Sequence, residues 1–219
     1  MIVTLDGPAG AGKSSAARAL ARRLGFRFLD TGAMYRAVAL AAIQRGLSWG
    51  DPQALVELAR GLNVELKADQ VLLDGGDVSH AIRTSAVTAA THYAADNPGV
   101  REILVGWQRR AAGSDNVVSE GRDQGTVVFP QAEAKIFLTA SPEERARRRQ
   151  RDLSARGEAL AWEEILAQQN QRDARDVRRQ VGPLVAAPDA EVITTDGLSP
   201  EEVVNRLEAL VRSKIAVAH

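Results

Sequence analysis

The chain has no cysteine, which excludes disulfides, a cysteine-based zinc site and thiol catalysis. It has no excess of charge either. The 28 Lys and Arg residues balance 28 Asp and Glu residues, so a general binder of nucleic acid or anionic membranes is not expected, and any phosphate ligand must be met locally. No stretch approaches about 18 uninterrupted apolar residues, so no membrane span is expected. The opening MIVTLDG lacks the basic, apolar and small-residue segments of a signal peptide, and a cytoplasmic location is expected. Lysine is scarce: Lys13, Lys67, Lys135 and Lys214 are four of the 28 basic residues, leaving 24 arginines. Arginine suits bidentate phosphate recognition, although a coding bias toward arginine would give the same count. His80, His92 and His219 are too dispersed for a metal triad. Aromatics make up 4% of the chain, and Trp49, Trp107 and Trp162 are read as helix-packing anchors rather than stacking platforms.

What is present suits a globular domain: 45% apolar and 26% charged residues over 219 positions, enough chain for one buried core. A single domain, 1–219, with inserted flaps is expected. Residues 2–5 are β-branched and apolar, glycines across 7–12 break the run, and an Ala/Arg/Leu-rich helix is predicted over 13–24. A strand over 26–29, a helix over 33–44 and a short helix capped by Asp51-Pro52 follow. Residues 64–66 and 71–73 flank a polar turn, a hairpin that interrupts the βα rhythm as an insertion would. The pattern continues with helices over 84–95 and 98–111, strands over 116–119, 135–139 and 191–194, helices over 143–156 and 162–179, and a last helix opened by Ser199-Pro200. Strands alternating with helices predict an α/β fold, a parallel five-stranded sheet with helices on both faces. The 143–156 segment is dense in arginine: Arg145, Arg147, Arg148, Arg149, Arg151 and Arg156.

Gly7-Pro8-Ala9-Gly10-Ala11-Gly12-Lys13-Ser14 matches G-x-x-x-x-G-K-[ST] at every fixed position, between an expected strand and an expected helix. Such a loop, extended to Ser15, cradles the phosphates of a nucleoside triphosphate, expected to be ATP. Backbone N–H groups and the helix N-terminus face the anion, Lys13 neutralises the β and γ oxygens, and Ser14 ligates Mg²⁺. The motif does not name the acceptor.

No N-K-x-D element occurs, which argues against a switch GTPase, and one P-loop with its own arginine-rich segment fits a small-molecule kinase better than a motor ATPase. An acceptor hydroxyl calls for a carboxylate to take its proton, whereas an acceptor phosphate, with a second pKa near ~6, is already mostly a dianion at neutral pH. Two anions then need cations between them. Arg36, Arg83, Arg101, Arg122, Arg172 and Arg179 lie in separate segments and are candidates to converge on an acceptor, although a solvated surface position is as good a reading for any one of them. Two rival classes stay open: a kinase of a small hydroxylated metabolite, with Asp30 or Asp123 as general base, and a nucleotide-dependent regulatory protein with little turnover.

Four further motifs narrow the choice: Leu29-Asp30-Thr31-Gly32-Ala33-Met34-Tyr35-Arg36; Glu120-Gly121-Arg122-Asp123 with Gly125-Thr126-Val127-Val128; Lys135-Ile136-Phe137-Leu138; and Arg172-Asp173-x-x-Asp176-x-x-Arg179. Together they resemble the bacterial-type cytidylate kinase family, in order along 2–213, and the hairpin within 63–77 looks like that family's insertion. The resemblance implies an adenylate-kinase-like fold with a monophosphate-binding region near 31–112 and a lid near 145–160. It implies transfer of the γ-phosphoryl group of ATP to CMP or dCMP, with Mg²⁺, giving CDP or dCDP in pyrimidine metabolism, and UMP as the poorer acceptor. A monomer that handles only these small nucleotides is expected. By the same resemblance Thr31, Arg101 and Asp123 face the cytosine, Arg36, Arg122 and Arg179 serve the base end or the phosphate, and Arg172 and Asp176 lie near the pentose. Arg148 and Arg149, in the lid pattern E-R-A-x-R-R, are candidates to stabilise the transferring group. Base chemistry supports Asp123, since a carboxylate accepts from the exocyclic amine of cytosine where uracil presents a carbonyl. The sequence departs from the family at one place. A serine is usual nine residues before the arginine matching Arg101, and here the position is His92, preceded by Thr91.

Overall fold

The computed structural model describes residues 1–67, 70–155 and 157–217; Arg156 and His219 lie outside the described residues. In chain order the strands are β1 (Ile2–Asp6), β2 (Arg27–Asp30), β3 (Val64–Leu66), β4 (Val71–Leu73), β5 (Gly76–Asp77), β6 (Val117–Glu120), β7 (Ala134–Thr139) and β8 (Glu191–Thr194). The helices are α1 (Lys13–Leu24), α2 (Thr31–Gln44), α3 (Pro52–Arg60), α4 (Ser85–Asp96), α5 (Pro98–Ala112), α6 (Pro142–Ser154), α7 (Trp162–Arg178) and α8 (Pro200–Val217). They form two compact units, Met1–Phe26 with Asn116–His219, and Arg27–Asp115. The five-stranded parallel sheet has the order β2-β6-β1-β7-β8.

In the first unit β1 lies between β6 and β7, with Leu5 opposite Glu120 on one side and Ile136 on the other. Val3, Thr4 and Leu5 are all fully buried. A strand covered on both faces has no polar side to show, hence the β-branched and apolar run of residues 2–5 without polar alternation beyond Thr4. Parallel strands end together, so Asp6 and Glu120 emerge at the same end of the sheet, where α/β folds place their ligands. α1 and α8 pack against each other, and α6 and α7 share a small core of Ala146, Leu153 and Ile165, against which Trp162 packs.

The second unit is built around α2, ten of whose fourteen residues are buried. Its core joins Ala33, Ala37 and Leu40 to Val71, Ile82 and Val87, with Trp49 packed against it; Trp49 also stacks on Tyr93, ring centroids 4.6 Å apart. The helix starts at Thr31, two residues earlier than the expected 33, because Asp30 caps it by accepting from Ala33 N at 2.9 Å. The expected hairpin of β3 and β4 forms, with Val64 opposite Leu73. Two features were not anticipated. The chain turns back through Asp74 (φ 50°) and Gly75 (φ 85°) to add β5 as a third strand, and in the first unit Gln124–Val128 makes a π-helical turn.

Candidate active site

The phosphate loop runs from β1 into α1, and the reasons for its glycines are local. A Cβ on Gly7 would lie 1.9 Å from the carbonyl oxygen of Leu138, so β7 passes too close for any side chain. Gly10 and Gly12 hold φ of 79° and 87°, which turns successive N–H groups inward. Ala11 is buried; Ser14 and Ser15, in the first turn of α1, are exposed. Lys13 is 5% exposed, and its Nζ donates to Pro8 O at 2.7 Å across the loop. Burial first, then the charges of Arg122 and Arg172, pull its ammonium down to about 7, against Glu120 and Asp6. Ser14 Oγ donates to Glu120 Oε1 at 2.7 Å. A hydroxyl and a carboxylate in contact are oxygen donors of the kind Mg²⁺ takes when it keeps several waters. Among the described residues no three acidic or histidine side chains form a metal cage.

Arginines and carboxylates gather at the same strand ends. Arg122 Nε donates to Asp176 Oδ2 at 3.0 Å, and Arg179 Nη2 donates to Asp176 Oδ1. Burial raises the Asp176 carboxyl, but Arg122, Arg179 and Arg172 together hold it below the ordinary value. One buried carboxylate thus holds two of the predicted arginines and feels the charge of a third, Arg172; Arg122 and Arg172 also act on Lys13. Asp123 is buried at the head of the π-helical turn, near enough to Asp6 to raise that group's pKa.

The two predicted lid arginines are placed differently. Arg148 donates through Nε to Glu144 at 3.0 Å, through Nη1 to Thr195 Oγ1 at 2.9 Å and through Nη2 to Thr195 O at 2.8 Å. Its guanidinium borders the phosphate loop, 3.8 Å from where a Cβ of Gly12 would stand. Arg149 is exposed. Beneath them Arg145 is 4% exposed and reaches the loop directly, donating to Ala9 O at 3.1 Å, to Ala140 O at 3.0 Å and to Asp173 at 2.6 Å.

In the second unit Asp30 collects two predicted residues. Arg36 Nη2 spans its two oxygens at 3.1 and 3.2 Å, and Arg83 Nη2 donates to Oδ2 at 3.4 Å. A carboxylate that caps a helix and holds two guanidiniums is engaged as an anchor, which weakens its case as a general base. Thr31 is buried at the start of α2. Arg101 is buried, donates to Ala95 O at 3.0 Å and lies 5.6 Å over the ring of Tyr35. Thr91 turns its hydroxyl back to Val87 O at 2.7 Å. His92 Nδ1 lies 2.7 Å from Ala89 O, and its ring is 4.0 Å from that of Tyr93. A neutral imidazole in that position donates from Nδ1 and keeps Nε2 as an acceptor.

Sequence reasoning missed four residues. Asp6 precedes the P-loop motif and Glu120 opens a quoted one, but both matter through strand adjacency; Arg145 was hidden among its neighbours in the lid pattern, and nothing around Thr195 signals that it would hold Arg148.

Cations assembled around a P-loop, with the neighbouring acids engaged in holding them, are the equipment of phosphoryl transfer between two anionic partners, and the class is that of the P-loop kinases. A shikimate kinase from Bacteroides thetaiotaomicron shares the fold, with a TM-score of 0.51 and 17% identity over 97% of this chain and 98% of that one. Sequence similarity is more specific. A family model described as cytidylate kinase matches residues 3–213. The cytidylate kinase of Rhodopirellula baltica is 56% identical, covering 97% of this chain and 93% of the relative, and that of Pelotomaculum thermopropionicum is 50% identical, covering 95% of each. The chain belongs to the cytidylate kinase family.

Proposed function

We propose that the protein transfers the γ-phosphoryl group of ATP to CMP or dCMP, giving ADP and CDP or dCDP, with Mg²⁺ bound at Ser14 and Glu120. The observation that carries this is that Lys13 lies within the field of Arg122 and Arg172, with Arg122 held by Asp176, because a site for two phosphate groups needs cations before it needs a base. Lys13 leaves Pro8 O for the β and γ oxygens, whose charge restores a firmly protonated ammonium. An oxygen of the acceptor phosphate bonds to the γ-phosphorus as the bond from that phosphorus to the bridging oxygen of ADP breaks; the acceptor is already a dianion, so no proton need move. Bound Mg²⁺ supplies further charge neutralisation on the transferred group. Arg122, Arg172 and Arg179 hold the acceptor, Arg148 and Arg149 stabilise the charge in flight, and Asp123 accepts from the cytosine amine. Thr31, Arg36, Arg83, His92 and Arg101 supply further acceptor contacts. We place the reaction in the cytoplasm.

A coupled assay of ADP formation with CMP, dCMP, UMP, AMP and shikimate tests this. Strong stimulation by CMP and dCMP, weaker by UMP and none by shikimate is expected. A preference for shikimate would move the protein to the hydroxyl kinases, and turnover indifferent to any acceptor would make it a regulatory nucleotide binder. Asp123→Asn is expected to lower the CMP/UMP ratio of kcat/KM, since an amide can donate to the uracil carbonyl.

A further inference from the structure

β1 ends on Asp6, one residue before the phosphate loop. The side chain is 4% exposed and fully committed: Oδ1 accepts from Gln124 N at 2.8 Å and Oδ2 from Gly125 N at 2.7 Å. These two amides open the π-helical turn whose cap is Asp123. The turn is held from β6 as well, where Ser119 Oγ donates to Gln124 Oε1 at 2.7 Å. Space is tight, since a Cβ on Gly125 would stand 3.0 Å from Thr4 Oγ1 and 3.4 Å from Asp6 Oδ2. A carboxylate is a costly group to place here. Burial, and to a lesser extent the charge of Asp123, raise its pKa to about 6, although the two amides and Lys13 oppose the rise. An asparagine would be cheaper to bury, but it has one acceptor oxygen and would turn its NH₂ toward the second amide N–H. Only a carboxylate can accept both.

We propose that Asp6 is a positioning residue for acceptor discrimination: by accepting from the amides of Gln124 and Gly125 it fixes where the Asp123 carboxylate meets the base, and it ties that placement to the strand that carries the phosphate loop. The proposal rests on Asp123 reading the cytosine amine. Asp6 touches no reacting atom.

The test is kcat/KM for CMP and for UMP at saturating ATP in wild type, Asp6→Asn, Gly125→Ala, Asp123→Asn and the double variant Asp6→Asn with Asp123→Asn, with circular dichroism to verify folding. Damage to the phosphate loop slows both acceptors alike and cancels in their ratio. Asp6→Asn and Gly125→Ala should each lower the CMP/UMP ratio by about fivefold or more, while adding Asp6→Asn to Asp123→Asn should leave the ratio within about twofold. An unchanged ratio in Asp6→Asn, where Asp123→Asn shifts it, overturns the proposal and leaves the reading of Asp123 intact. An unchanged ratio in Asp123→Asn overturns that reading and the proposal with it. Should Asp6→Asn fail to fold, Gly125→Ala decides, because it displaces the same turn with the carboxylate in place.

Discussion

Lys13 is held in a place that does not suit a resting lysine. Its pKa falls from 10.5 to about 7 because the ammonium is buried beside Arg122 and Arg172. The folded protein therefore binds fewer protons than the unfolded chain between about pH 7 and 10.5. The charge penalty is full below pH 7 and is relieved as pH rises through that window. Lys13→Met is expected to lower kcat by about a thousandfold or more, yet to raise the melting temperature of the nucleotide-free protein. That gain should be largest near pH 6 and should shrink toward pH 10, which thermal melts across pH will show. His92 offers a second test at this scale. With Nδ1 on Ala89 O, its Nε2 is the atom left to accept from a pentose hydroxyl. His92→Ala should then shift the CMP/dCMP ratio by a few-fold, as expected for a partly solvated hydrogen bond of about 1 kcal/mol. Equal ratios in the two proteins would remove His92 from the pentose contacts.

At the scale of elements, Arg145 is the joint between the phosphate loop, the end of β7 and α7. Asp173→Ala removes its only carboxylate partner among the described residues and leaves a buried guanidinium on two carbonyls. The expected loss is about 3 kcal/mol in urea unfolding, together with a higher KM for ATP, because Ala9 loses a fixed neighbour. A normal KM for ATP would confine the pair to stability. The same elements explain what could be read beforehand. The P-loop was legible because its chemistry needs contiguous residues at fixed spacing, and the caps at Asp51-Pro52 and Ser199-Pro200 because capping is local. β5 was not, because two residues carry no readable alternation even though its partners Leu72 and Leu73 are close in sequence, nor was the π-helical turn at Gln124, whose amides are held by Asp6, 118 and 119 residues away. Arg172 and Arg179 stand within one helical turn of Asp176 in a motif visible in the sequence, but that Arg122, 54 residues away, joins Asp176 is a fact of tertiary structure.

For the whole molecule, zero net charge leaves no general field to draw in anions, and the site's cations are paired with neighbouring carboxylates, so ligands must be recognised by these local groups. Each nucleotide should then stabilise the fold by mass action. At about a hundred times its Kd, ATP should add ~2.7 kcal/mol, or about 5–10 °C in melting temperature. Lys13→Met should lose most of the shift given by ATP and keep the shift given by CMP, and loss of both would mean that the substitution damages more than the phosphate loop.

Helix α2 carries one more consequence. It is buried on nearly every side, and Ala33, Ala37, Ala39, Ala41 and Ala42 are the small residues that let its neighbours approach. In genetic terms it should be the least forgiving stretch of the gene product. A saturation screen for kinase activity should find few tolerated changes from Ala33 to Ala42, including positions with no expected ligand contact, because a methyl group added to this helix displaces the turn that presents Arg36.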